Sequence, residues 1–159
     1  MNLSKNFSKA ELCKSQTATR MGLNNNPTDD QTENLRLLCE RVLQPVRDHF
    51  NQVVTISSGF RDPVLSRKIG SSEKSQHCRG EAADLEIFGV ANNELADWIK
   101  ENLMFDQLIL EYYTPGEPNS GWIHASYIPF QPRAQYMRAY REDKKTKYKP
   151  ITGKAVDLV

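Results

Sequence analysis

The sequence predicts an α+β fold, a small, mainly antiparallel sheet with helices packed on one face. Three observations point there. Apolar residues recur at spacings of three and four in two stretches, Leu35, Leu38, Val42, Val46 and Phe50, then Leu95, Ile99 and Leu103; this is the stripe of a helix that covers a core. Four short runs, residues 53–56, 82–88, 107–113 and 122–128, have the length and the apolar or β-branched content of strands. The last two are separated only by the Pro/Gly-rich loop 114–121, a spacing that favours antiparallel pairing.

The elements follow in order. A short helical region around FSKAELCKS ends at the polar run Asn24-Asn25-Asn26-Pro27, and Thr28-Asp29-Asp30-Gln31 reads as a capping box opening the first long helix. Pro45 should kink that helix near its end, where His49 takes a surface or helix-terminal role. The strand at 53–56 is closed by Ser57-Ser58-Gly59 and an exposed Phe60-Arg61-Asp62-Pro63. Residues 64–69 form one or two helical turns, 70–75 a loop, and 82–88 the second strand. Asn92 caps a helix over 93–103. In the tail, 134–141 and 146–151 form a hairpin around a charged turn at 142–145, a helix for the first arm being the alternative.

Composition narrows the partners. A chain of 159 residues fits one domain over 1–159, with a core at about 30–128 and the hairpin at about 134–151 as an extension, and buries roughly two thirds of its unfolded surface. Lys and Arg number 21 against 20 Asp and Glu, so no strong preference for nucleic acid or an anionic membrane is expected. No apolar run approaches the ~20 residues of a membrane span, and the N-terminal stretch lacks the apolar core of a secretory signal. The expected place of synthesis is the cytoplasm, without stable membrane association. Cys13, Cys39 and Cys78 are odd in number and form no CxxC pair, which favours reduced thiols.

The stretch SQHCRGEAADL, residues 75–85, places a histidine and an aspartate ahead of an apolar run. On strand alternation Asp84 opposes Ala83, Leu85 and Ile87, while His124 shares a face with Trp122 and Ser126. A catalytic zinc takes three N or O ligands and keeps one position for water. His77, Asp84 and His124 supply that set, but spacing alone leaves an ordinary polar strand face as the other reading.

In the order SSGFRDP, SQHCRGEAADL, FDQLILE and GWIHASY, the segments resemble the M15 family of zinc D,D-peptidases, near its D-Ala-D-Ala carboxypeptidases and phage endolysins. The resemblance runs from about residue 30 to 127, and Ser75, His77, Gly80, Ala82 and Asp84 fill the pattern S-x-H-x-x-G-x-A-x-D. It implies a Hedgehog/D,D-peptidase-like fold and one catalytic Zn2+ held by His77, Asp84 and His124. It also implies that Arg61 holds substrate or steadies a developing oxyanion. Many members carry an acidic residue three positions before the last histidine, where this chain has Gly121. FDQLILE resembles the branch whose base sits on the preceding strand, which implies Glu111, with Asp106, Glu86 and Glu117 as minor candidates.

Other residues take lesser parts. Cys78 has no free histidine left to activate it and is a neighbouring thiol. Ser75 and Gln76 shape the site or bind substrate, Ser126 is placed for a hydrogen bond behind His124, and Trp122 is a substrate wall or core. The basic run at 144–149 is a solvated turn, or else a hold on an anionic wall polymer. The expected function is hydrolysis of peptide bonds in peptidoglycan stems by a phage-type endolysin or D,D-carboxypeptidase. Such an enzyme would be made in the host cytoplasm and meet the wall through a pore or as part of a virion. The alternatives are a cytoplasmic D-Ala-D-Ala dipeptidase and a zinc-bound recognition or assembly module.

Overall fold

Along the chain of the computed structural model, which describes residues 1–159, a two-stranded hairpin comes first, β1 (Asn2–Ser4) and β2 (Phe7–Ser8). Helices α1 (Lys9–Leu12) and α2 (Gln16–Met21) follow, where one helical region was expected. The hairpin is short and polar, with no alternation to betray it, yet it buries Leu3 and Phe7 in the main core beside Leu12.

Helix α3 (Asp29–Leu38) opens with the capping box read from the sequence: Thr28 Oγ1 accepts from Gln31 N–H, and Gln31 Oε1 accepts from Thr28 N–H. The kink expected at Pro45 takes a definite form. Residues Cys39–Leu43 widen into a π-helical turn, closed by Gln44 N–H donating to Cys39 O, before α4 (Gln44–Phe50) resumes. Pro45 has no N–H to return to the carbonyl four residues back, so the α-ladder cannot continue unbroken.

The main sheet runs β3 (Thr55–Ser58), β4 (Ala82–Glu86), β6 (Trp122–Ser126), β5 (Gln107–Glu111), β7 (Gln135–Glu142) and β8 (Lys145–Pro150). All neighbours are antiparallel except β5 and β7. β3 starts two residues later than predicted, because the left-handed Asn51 that ends α4 turns Val53 out to solvent (72% exposed) while Val54 alone enters the core. The tail is the predicted hairpin, and its two-residue turn, Asp143-Lys144, has φ positive at both positions, the twist that two-residue hairpins favour.

Helix α5 (Pro63–Lys68) follows β3, and between β4 and β5 runs α6 (Asn92–Asn102). Asn92 does not cap it, contrary to expectation: Ala91 holds the cap position, and the buried Asn92 amide donates to Glu86 and to the carbonyls of Ser120 and Gly121. A side chain claimed by a loop 28 residues away is not available to its own helix.

Ala83, Leu85, Ile123, Ala125, Leu108 and Leu110 project from one sheet face into a core shared with Leu35, Leu38, Val42, Leu95 and Ile99. Helices therefore cover that face, and the alternate residues of β4, β6, β5 and β7 lie on the other. The outer edge is β8, which carries Lys145, Lys147 and Lys149 and ends in Pro150.

Candidate functional site

Strand register builds the site on the open face. Asp84 of β4 stands directly opposite His124 of β6, and Glu111 of β5 stands opposite Trp122, two residues from His124 on the same face. His77 comes from outside the sheet. It sits on a 3-10 turn, Gln76–Arg79, opened by Ser75, whose hydroxyl accepts from His77 N–H. Gly80 ends the turn at φ +75, where a Cβ would lie 2.4 Å from Gln31 O. Only glycine fits both the dihedral and the space, and the sharp reversal brings His77 back over Asp84.

Ligand-capable atoms of His77, Asp84 and His124 all lie within 4.8 Å of one another. Asp84 Oδ1 is 3.4 Å from His77 Nε2 and 3.2 Å from His124 Nδ1. On the far side of its ring, His77 Nδ1 donates to Gly59 O at 2.7 Å, which fixes the tautomer and leaves the Nε2 lone pair facing Asp84. Burial works against the Asp84 charge, but the hydrogen bond from His124 and the nearby His77 imidazole more than offset it, and its carboxyl sits well below the usual carboxylate range. Two imidazole nitrogens and one ionised carboxylate, converging and largely buried, suit a borderline divalent cation such as zinc.

Glu111 is poised differently. Its Oε1 lies 4.0 Å from His124 Nδ1, and burial, reinforced by the Asp84 charge, raises its pKa to about 6. A carboxylate raised in this way is a better proton acceptor near neutral pH. Gly121 explains why no acid stands there instead: its φ is +65, and a Cβ would meet Glu111 O at 2.0 Å.

Arg61 lines the same cleft, of about 870 Å3. Its backbone N–H donates to His77 O at 3.1 Å, so the loop after β3 is tied to the metal-ligand turn. Arg61 makes no ion pair, and its buried Nε finds no acceptor within the protein. Trp122 also lines the cleft, with its indole N–H buried and without an acceptor and its ring tilted against Tyr112. That position fits the substrate-wall reading better than the core one.

Other candidates fall away from the chemistry. Asp106 is 1% exposed and is consumed by Arg133, whose Nη2 lies 2.6 Å from Oδ2; Gln76 donates to the same carboxylate. Gln76 thus braces the fold beneath the cleft, although it borders it, and Ser75 acts through its cap. Glu86 accepts from Asn92, and Glu117 belongs to the loop after β5, away from the cleft lining. Ser126 Oγ accepts from Gln107 N–H and does not support His124. His49 stacks on Trp98 at 4.4 Å, and Cys78 is buried with Ser72 O as its neighbour. Sequence reasoning missed Arg133, Arg141 and Tyr148, all of which line the cleft; nothing local to those residues signals it, because it depends on β7 pairing with β5.

Two imidazoles and a carboxylate converging on the open face of the sheet, with a second, raised carboxylate alongside in an open cleft, define a metal-dependent hydrolase. The Peptidase M15 family model matches residues 5–125. The chain belongs to that family and is a metallopeptidase of α+β fold; the match begins well before the motifs, in keeping with the burial of the N-terminal hairpin in the shared core. No curated protein matches the chain.

Proposed function

We propose that this metallopeptidase is zinc-dependent and hydrolyses peptide bonds in peptidoglycan stem peptides, as a phage-type endolysin or D,D-carboxypeptidase. The carrying observation is the convergence of His77, Asp84 and His124 beside Glu111 in a cleft that also holds the unpaired Arg61. His77 Nε2, Asp84 and His124 Nδ1 would hold the ion. Bound there, zinc supplies Lewis acidity, acidifying water towards a pKa of ~7 and polarising a carbonyl.

The chain's own residues do the rest. Glu111 accepts the proton of the attacking water as its oxygen adds to the carbonyl carbon, then gives that proton to the amine as the C–N bond breaks. Arg61 donates its planar N–H pair to a substrate oxygen, either a terminal carboxylate or the developing oxyanion. His77 and the Gly59 carbonyl keep the ligand tautomer fixed throughout.

Glu111→Gln should lower kcat by about 10²–10⁴-fold while the zinc stoichiometry, measured by metal analysis, stays that of the wild type. A variant retaining most of its rate would place the base elsewhere. Mass spectrometry of muropeptides after digestion names the bond cut through its new termini, and an unchanged profile removes the wall substrate. Turbidity loss on permeabilised cells, set against hydrolysis of free D-Ala-D-Ala, separates a lysin from a dipeptidase. Chelator-sensitive lysis restored by zinc separates either from a recognition module. The proposed setting is synthesis in a host cytoplasm with wall access through a pore or within a virion; no helix of the chain is long and apolar enough to cross a membrane.

A further inference from the structure

The far wall of the cleft is built by residues beyond the family match. The β7–β8 hairpin joins the sheet through parallel pairing of β7 with β5, which sets Glu111, Ala139 and Tyr148 in one row across three strands. Arg141 lies two residues past Ala139 on the same face, and both Arg141 and Tyr148 line the cleft. Ala139 is small, so the hairpin's larger side chains can lean over it towards Glu111.

Arg141 is held on a prepared platform. Its guanidinium carbon lies 5.9 Å from the centroid of the Tyr112 ring. Tyr112 is fixed at both ends: its hydroxyl shares a hydrogen bond with Thr146 Oγ1 at 2.6 Å, and its N–H donates to Ala139 O at 2.8 Å. The Tyr112 backbone has φ +57, a conformation that costs an aromatic residue energy and is kept here by these contacts.

Charge pairing separates Arg141 from two of the other cations of the cleft, though not from Lys74, which also has no acidic partner. Arg133 is neutralised by Asp106 and Arg79 by Glu81, while Glu142, beside Arg141 in sequence, pairs with Lys147. Arg141 and Arg61 have no carboxylate partner within ion-pair distance. The two flank the acid-bearing centre, Arg61 following the edge strand β3 and Arg141 standing on β7, beyond β5.

We propose that Arg141, set over the Tyr112 ring, binds a carboxylate of the peptide substrate on the side of the reacting centre opposite Arg61, and so selects stem peptides that carry an acidic group there. The proposal rests on the peptidase reading above. A guanidinium lying over an aromatic ring with its N–H edge free offers paired donors, which suit a carboxylate better than a neutral amide.

The test uses synthetic stem peptides that differ only in a free acid or a primary amide at each non-terminal carboxylate. Wild type should prefer the free acid at one position by about tenfold or more in kcat/KM. Arg141→Gln should bring that ratio towards one. Arg138→Gln, the same charge change away from the cleft on β7, should keep the ratio. Calorimetry on zinc-loaded Glu111→Gln protein supplies a readout independent of turnover: it should bind the free-acid peptide about tenfold more tightly than the amide, a difference lost in the Glu111→Gln/Arg141→Gln double variant. Equal binding of acid and amide at every position, or a preference that survives Arg141→Gln, overturns the proposal. If wild type cleaves none of the peptides, the peptidase reading fails, and the calorimetry still decides whether Arg141 holds a carboxylate.

Discussion

Gly121 joins the loop after β5 to β6 at φ +65, with Glu111 O standing where a Cβ would have to go. Any side chain there is strained by the dihedral and by a backbone collision, so Gly121→Ala should cost at least about 2 kcal/mol in chemical denaturation. Activity should fall further than stability alone accounts for, because relief of the clash displaces Glu111. Asp106 makes a prediction of a different kind. The Arg133 guanidinium holds its carboxyl below the usual range, so the pair stabilises the fold above the unfolded Asp pKa of about 3.9. That stability disappears as the pH falls through the lower native value. Asp106→Asn should therefore weaken the protein at neutral pH and flatten the acid side of its stability–pH curve, measured by urea unfolding from pH 3 to 7.

At the level of elements, the long helices, three of the sheet strands and the tail hairpin were legible because each carries its own period. His77, Asp84 and His124 could be picked out as a candidate set, but spacing alone left a polar strand face as the other reading, and it was the family resemblance that chose between them. What escaped was decided by contacts remote in sequence. Asn92 looks like a cap until the loop at 114–121 claims its amide, and Ser126 looks like support for His124 until Gln107 takes its hydroxyl. Asp106, an acid beside a strand, reads as a possible base until Arg133 is seen across it. Asp97 of α6, which no local pattern marks out, accepts from Tyr136 Oη, Ala155 N–H and Val156 N–H, pinning the C-terminal segment and β7 to the helix layer. Asp97→Ala strands these donors and should cost about 3 kcal/mol, seen as a lower urea midpoint.

For the molecule as a whole, division into a helix-covered face and an open face separates stability from chemistry: the core never meets the cleft, and the cleft residues stand on a sheet already braced from behind. The exception is the ligand set, whose buried carboxylate lies between two imidazoles. Zinc at about 100 times its dissociation constant should stabilise the native state by about 2.7 kcal/mol, raising the melting temperature in a thermal scan. Asp84→Ala should abolish that rise while leaving the metal-free transition in place.

The lysines and terminal proline of β8 act on another scale, that of molecules meeting one another. A strand edge is a template on which a second sheet can grow. Here two copies approaching edge to edge would bring like charges together, and Pro150 would offer no N–H to the incoming strand. Pairing between copies through this edge should therefore be disfavoured, so that β8 does not seed growth of the sheet from one molecule to the next.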